Sequence, residues 1–336
     1  MLKIISLFLL TLFFNGFMLI GAGGFDIEKK GDLFGFRNDK NNSKHAYITD
    51  AIEKYSPNVN SVVLWITRDW QSDWYSVDEV QKEVVQRGYT PVFVFYYFGD
   101  DISKEFIKTH REDYFRQLKT FVKYMKKIDS QKVVVLNPEY NMFGCEKLDE
   151  MNDIFLQSYE IVRGDVQAVV GPCVGDFGDY GYTDEPKEWR LFAPSLDRAA
   201  KQADFIAFQE MRGLGRNSKS DILNTPKRAY NFSKYLYKTY KKPTVLAYLA
   251  ISTYGKDGKN IQAKVYKDFL YYIPKMQKEA HLILFATFHY FDYPGHVGYF
   301  NKGEEHFGLV TKDGRKKPAL EFFRAIQPFV KTRQKR

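Results

Sequence analysis

The sequence predicts an α/β protein, a single-domain (β/α)8 TIM barrel, and three observations predict it. Eight apolar segments recur along the chain, helical patterns fill the intervals between them, and the apolar segments are continuous rather than alternating. A strand that is apolar at every position is buried on both faces, as in a parallel sheet covered by helices. Eight strands alternating with helices are the pattern of the barrel. The rival architecture is a doubly wound sheet, but no Gly-rich phosphate fingerprint follows the first segment.

In order, strands are expected at residues 33–36, 61–66, 91–97, 132–136, 166–170, 205–208, 244–249 and 282–288, the first being the weakest in pattern. Helices are expected at 43–55, from 76 to about 87, and at 112–128, 148–162, 195–202, 225–240, 261–278 and 317–329. Ser76 and Glu79 have the spacing of a capping box, and Gly88 follows as a stop. Tyr114, Phe115, Leu118, Phe121, Val122 and Met125 recur at helical spacing. Long loops at 171–189 and 292–307 follow strands five and eight, on the face where a barrel builds its cleft.

The N-terminus is separate in character. Lys3 precedes the apolar run 4–14, and Gly21-Ala22-Gly23-Gly24 forms a small-residue exit. This is the make-up of a secretory signal peptide, or of an uncleaved anchor. Residues 1–24 are therefore expected to be a leader or anchor, 25–330 the barrel and 331–336 a basic tail. The protein is expected to be exported, periplasmic or secreted, and a monomer that meets a membrane only through that first segment. Cys145 and Cys173 are the two cysteines. In an oxidising compartment they form a disulfide or remain free thiols.

The net charge is +9, from 50 Lys and Arg against 41 Asp and Glu. Such a balance fits solvated helix faces or an anionic polysaccharide. Nothing in the chain resembles a nucleic-acid module. The six His residues show no metal-ligand spacing, there is no Gly-x-Ser-x-Gly elbow, and no cofactor or metal is called for.

Chemistry points to Glu139. The run Lys132-Val133-Val134-Val135-Leu136 ends in Asn137-Pro138-Glu139, which places a carboxylate at a strand tip, where barrels keep their active sites. Strand six ends Phe208-Gln209-Glu210 and supplies a second acid two strands away. Strands about 4.8 Å apart put the two backbones about 10 Å apart, close enough for the carboxyl pair that glycoside hydrolysis needs. Each acid has a plainer reading: Glu139 in an ion pair at the mouth, Glu210 held by Arg212 or Arg216. Asp176 and Asp179 are reserve acids.

Aromatic residues crowd the same ends: Trp65, Trp70, Trp74, Tyr96, Tyr97, Phe98, Tyr140, Tyr180, Tyr182, Trp189, Tyr248, Tyr254, His289, Tyr290 and Tyr293. Such rings stack on sugars, or simply pack. Arg37, Trp65, Tyr96, Asn137, Asp176, Gln209, Tyr248, His289 and Tyr290 are the expected substrate contacts.

The Asn137-Pro138-Glu139 tip and the stretch His306-Phe307-Gly308-Leu309-Val310 … Lys312-Asp313-Gly314-Arg315 … Lys317-Pro318-Ala319-Leu320 resemble the TIM-barrel glycoside hydrolases. In part they resemble their large retaining clan, which carries Asn-Glu as acid/base on strand four. That resemblance implies Glu139 as acid/base. The clan also carries a Glu nucleophile on strand seven, but here strand seven ends Tyr248-Leu249-Ala250-Ile251-Ser252-Thr253-Tyr254, without an acid. The Gln209-Glu210 pair is similar to less characterised sugar-hydrolase-like barrels with acids on strands four and six, which implies Glu210 as the partner. The expected activity is cleavage of a polysaccharide or glycan, neutral or anionic, without a cofactor. The alternatives are a catalytically silent sugar-binding barrel and an envelope scaffold.

Overall fold

Eight parallel strands close into a ring, each hydrogen-bonded to the strands on either side. The computed structural model describes residues 17–24, 35–36, 46–176 and 189–328. The barrel strands are β1 (Leu19–Gly24), β2 (Ser61–Thr67), β3 (Thr90–Tyr96), β4 (Lys132–Leu136), β5 (Ala168–Gly175), β6 (Ile206–Arg212), β7 (Thr244–Ile251) and β8 (Leu282–Thr287). The helical layer is α1 (Ile48–Tyr55), α2 (Val77–Glu79, continued by a wider turn at Val80–Val85), α3 (Lys104–Met125), α4 (Glu150–Asp165), α5 (Ala193–Gln202), α6 (Lys219–Tyr240), α7 (Gly258–Ala280) and α8 (Ala319–Ala325).

Seven of the expected strands lie where the apolar runs put them. Strand one does not. Gly35–Phe36 pairs instead with Ala46–Tyr47 in a separate two-stranded ribbon, and the barrel is closed by Leu19–Gly24, paired with β8 and β2. The small residues read as a cleavage exit are small for a packing reason. A Cβ on Gly21 would lie 2.7 Å from the Cβ of Ala286, and one on Gly23 would lie 2.4 Å from the carbonyl oxygen of Val63. The boundary at residue 24 therefore falls inside the barrel. The basic tail 331–336 and Arg37 lie outside the described residues.

Two apolar layers follow from strand alternation. Val63, Val92, Val94, Val133, Val135, Val169, Ala207, Val245 and Ala247 fill the barrel interior. Val62, Leu64, Phe93, Phe95, Val134, Val170, Phe208 and Leu246 face the helices. Much of the aromatic content belongs to this outer layer. Trp70 packs edge-on against Phe121 and Tyr124, and Phe95 stacks on Phe121. The capping box at Ser76 and Glu79 is formed. Among the described residues no helix is long and apolar enough to cross a membrane.

A chain beginning at Phe25 lacks β1 and leaves β2 and β8 as open edges. It is expected to lose the cooperative thermal transition, followed by circular dichroism, that a chain beginning at Phe17 retains.

Candidate active site

Glu139 stands over the barrel mouth because the backbone beyond β4 turns twice. Asn137 and Glu139 both have left-handed φ, 47° and 64°, on either side of Pro138. Such φ values are uncommon outside glycine and cluster at functional sites. The first turn is held by the Asn137 amide N–H, which donates to the Phe95 carbonyl at 2.9 Å. The Asn137 side chain donates to the Tyr114 hydroxyl of α3 at 3.0 Å. Asn137 is thus turned into the helical layer and is no sugar contact; it fixes the turn that aims Glu139.

The Glu139 carboxylate accepts from the Tyr248 hydroxyl of β7 at 2.6 Å and lies 3.4 Å from the Tyr96 hydroxyl of β3. Tyr96 also donates to Asp100 Oδ1 at 2.9 Å. Glu139 Oε2 and Asp100 Oδ1 therefore flank one phenol oxygen, which brings the two carboxyls close together at the mouth. Asp100 sits in the exposed turn Gly99–Asp101 directly after β3.

Burial pushes the Glu139 carboxyl up to about 7, and the charges of Asp100 and Glu304 add to the rise, while the Tyr248 and Tyr96 hydrogen bonds oppose it. Although the residue is only half-buried by surface area, protein atoms crowd its carboxyl end, and that crowding is the largest cause of the rise. Glu304, from the turn Asn301–His306 after β8, is also pushed up to about 7, by burial and by Asp100, against the Phe300 N–H that it accepts at 2.9 Å. Asp100 and Glu304 are the acids that sequence reasoning missed. The available signal was Tyr96-Tyr97-Phe98-Gly99-Asp100, an acid one tight turn beyond a strand tip.

Below and beside the acids the mouth is aromatic. Trp65 meets Tyr96, Tyr248 and Phe288 edge-on at 5.4, 5.0 and 5.1 Å and forms the floor, buried, so it supports the site rather than stacking on substrate. His289 and His296 share a hydrogen bond of 3.3 Å between Nε2 and Nδ1, with Tyr293 stacked on His289. Burial lowers both histidines, His296 to about 4. Gln209 points into the interior, fully buried, and neither of its amide atoms has a partner among the described residues. Cys173 lies close enough to Glu139 for that charge, after burial, to raise its thiol.

Glu210 is elsewhere. It neighbours Leu249 of β7 in register, on the side that faces the helices, whereas Gln209 neighbours Tyr248. Its carboxylate lies 3.0 Å from Arg212 and beside Asp176. Asp176 accepts from Trp189 Nε1 at 2.8 Å and from Arg228 Nε at 2.7 Å. Burial, and then the Asp176 charge, raise the Glu210 carboxyl far above the usual range. The expected pairing of Glu210 with Glu139 is therefore overturned. Period-two alternation sends Glu210 outward, and two arginines hold it there with Asp176, which is likewise no substrate contact.

Other expectations are corrected on the same ground. Tyr290 belongs to the outer layer, its hydroxyl 2.8 Å from Ser56 Oγ. Trp70, Trp74, Tyr97, Phe98, Tyr140 and Trp189 pack there as well, while Tyr180, Tyr182 and Asp179 lie outside the described residues. Cys145 is buried in the helical layer and Cys173 inside the barrel, and both are free thiols, so no disulfide forms. Of the predicted contacts, the structure gathers Trp65, Tyr96, Gln209, Tyr248 and His289 around Glu139. Among the described residues no cluster of three or more His, Cys, Asp or Glu has metal-holding geometry.

Two outcomes follow. Tyr248→Phe removes a hydrogen bond that favours the ionised carboxylate, so the Glu139 titration is expected to move upward by about one unit, read by carbon NMR of the labelled carboxyl. Arg212→Ala removes the guanidinium that lies beside the buried Glu210–Asp176 pair and is expected to cost about 3–5 kcal/mol in denaturant unfolding.

No protein-family model matches the chain, and no curated protein matches it. Solved structures do. The β-D-glucuronidase of Dictyoglomus thermophilum aligns with a TM-score of 0.59 at 13% identity, over 94% of this chain and 51% of that one. A GH5_18 protein from Bifidobacterium longum subsp. infantis aligns at 0.55 and 12%, over 92% and 78%. A psychrophilic glycoside hydrolase family 10 endo-β-1,4-xylanase aligns at 0.55 and 11%, over 93% and 97%. The chain spans about half the length of the glucuronidase. At such identities the likeness is one of fold: this chain has the closed parallel barrel of those glycoside hydrolases.

Proposed function

We propose that this chain is a glycoside hydrolase in which Glu139 donates a proton to the glycosidic oxygen and Asp100 is the opposing carboxylate. One observation carries the reading: the two acids flank the Tyr96 hydroxyl at the mouth, one crowded by protein and the other exposed. Glycoside hydrolysis uses two carboxyls whose environments set their proton affinities apart. A Glu pushed up to about 7 keeps a transferable proton at neutral pH. As the bond from the anomeric carbon to oxygen breaks, Glu139 supplies the proton. Asp100 either takes a proton from the attacking water or attacks the carbon itself.

Tyr248 lies within strand seven, the strand on which the resembled clan keeps its nucleophile, but it is fully buried and donates to Glu139. Its role is to orient the acid. Gln209, His289 and Trp65, all buried, support the mouth from within, and the half-buried His296 is hydrogen-bonded to His289. Lys3 and the apolar run 4–14 support export, with any cleavage placed ahead of β1. The substrate is a glycan. A silent sugar-binding barrel is the second reading, and the missing strand-seven acid is the observation that favours it.

Glu139→Gln and Asp100→Asn are each expected to lower kcat by about 10²–10⁴-fold on a natural glycan while oligosaccharide affinity is retained. The wild-type rate should fall as pH rises through about 7, because the proton donor is then lost. Equal reducing-end release by wild type and Glu139→Gln, or none by either across a glycan panel, refutes the hydrolase reading. Sugar binding without turnover establishes the second reading.

A further inference from the structure

A second concavity lies beside the mouth, between the loops that follow β7 and β8. Its volume is about 830 Å³, and its wall includes Tyr254, Lys259, Glu305, His306 and Lys312 over a floor of Asp292 and Lys317. That volume lies in the range of small-molecule sites. The floor is rigid. Lys317 is almost fully buried, and its ammonium donates to Asp292 at 2.6 Å, to Thr253 Oγ1 at 2.8 Å and to the His306 carbonyl at 3.1 Å. Asp292 also accepts from the Gly308 N–H at 3.0 Å.

Three properties of the wall define a ligand. The Tyr254 ring lies nearly parallel to the His306 ring, 5.5 Å between centroids, and remains 42% exposed, so it offers a braced flat face. Lys259 and Lys312 are exposed and form no ion pair with any described carboxylate, whereas the other two cations, Lys317 and Arg315, are already paired with Asp292 and Asp313. Burial lowers the proton affinity of Lys317, Asp292 opposes that shift and the Lys259 charge adds to it, so Lys259 stands close to the buried pair. Glu305 adds an acceptor for hydroxyl groups on the wall. A flat apolar face, two unpaired ammonium groups and a carboxylate acceptor match a sugar ring that bears both hydroxyls and an acid group. A small inorganic anion would use the lysines but would meet three carboxylates and gain nothing from the ring.

The position links this concavity to the mouth. Lys312 Nζ lies 5.9 Å from the centre of the Tyr293 ring, and Tyr293 stacks on His289 of the mouth. One aromatic wall therefore separates the two. We propose that the concavity formed by Tyr254, Lys259 and Lys312 is a binding subsite for a uronic-acid unit of a glycan whose neighbouring part lies at Glu139. The saccharide class rests on the hydrolase reading above; the acid selectivity rests on the lysines.

The test is calorimetric titration of the full-length Glu139→Gln protein, which measures binding without turnover. The probes are trigalacturonic acid, a neutral galactose trimer and inorganic phosphate. Trigalacturonic acid is expected to bind at least tenfold more tightly than the neutral trimer, and more weakly as salt is raised. Adding Lys259→Ala and Lys312→Ala should weaken the acidic trimer at least tenfold, and Tyr254→Ala should weaken both trimers. Equal affinity of the two trimers, unchanged affinity in the double lysine variant, or absence of any trimer binding overturns the proposal. Phosphate bound as tightly as trigalacturonic acid, and displaced by it, also overturns it. These outcomes are independent of whether wild-type protein cleaves a glycan, so failure of the subsite and failure of the hydrolase reading are told apart.

Discussion

Closure of the barrel is the constraint on which the remaining structure depends. Once β1 pairs with both β2 and β8, every strand is bonded on two sides, and each side chain has only two addresses, the interior or the helical layer. The closing strand must be narrow because the Val63 backbone and the Ala286 side chain approach it so closely. Along β6 the rule sends Ala207, Gln209 and Met211 inward, following Phe205 just before the strand, and Ile206, Phe208, Glu210 and Arg212 outward. Beyond β4 it is broken by the left-handed residues flanking Pro138, which carry Asn137 outward and Glu139 over the mouth. The site exists where alternation is interrupted.

Three acids in one molecule show how address decides chemistry. Glu210 is fully enclosed, with arginine beside it, and holds a proton far above the usual carboxyl range, yet nothing in the cleft can reach it. Glu139 is enclosed at its sides and open toward the mouth, so burial raises it only to about 7 while two phenols draw it back. Asp100 is exposed in its turn, and its charge is the one that both Glu139 and Glu304 feel. A strongly shifted proton affinity is therefore a poor guide to function when taken alone; the larger shift belongs to the structural acid.

Most of the barrel was legible because strands β2–β8 are continuous apolar runs separated by amphipathic helices. β1 was hidden by its surroundings. Leu19 and Ile20 run on from the apolar leader, and Gly21-Ala22-Gly23-Gly24 carries no strand-forming residue, since packing rather than propensity selects it. Glu139 was visible as a carboxylate at a strand tip. Glu210 had the same credential, and what separates them is parity along the strand, which a count inward from Ala207 supplies. The tryptophans misled for a related reason: with 29 Phe and 24 Tyr in the chain, large rings are the ordinary filling between barrel and helices, and only Trp65 of the four sits at the mouth. Asp100 and Glu304 belong to loops, whose folding over the mouth depends on contacts far apart in sequence.

The absence of an acid on strand seven bears on which strands supply the carboxyls rather than on whether a pair exists. Hydrolysis requires two carboxyls across a scissile bond at a suitable separation, and no strand number enters that requirement. Here Tyr96 holds Asp100 and Glu139 on one oxygen, so the separation is set by a single side chain of β3. On β7 Tyr248 extends to Glu139 and donates to its carboxylate. Being wholly buried, it cannot meet an anomeric carbon, and its hydrogen bond, at 2.6 Å the shorter of the two on Glu139, tempers the effect of burial on that acid. The phenol on β7 and the acid after β3 thus form one arrangement around Glu139, in which, on the reading proposed above, strand seven tunes the proton donor and the turn after strand three provides its partner.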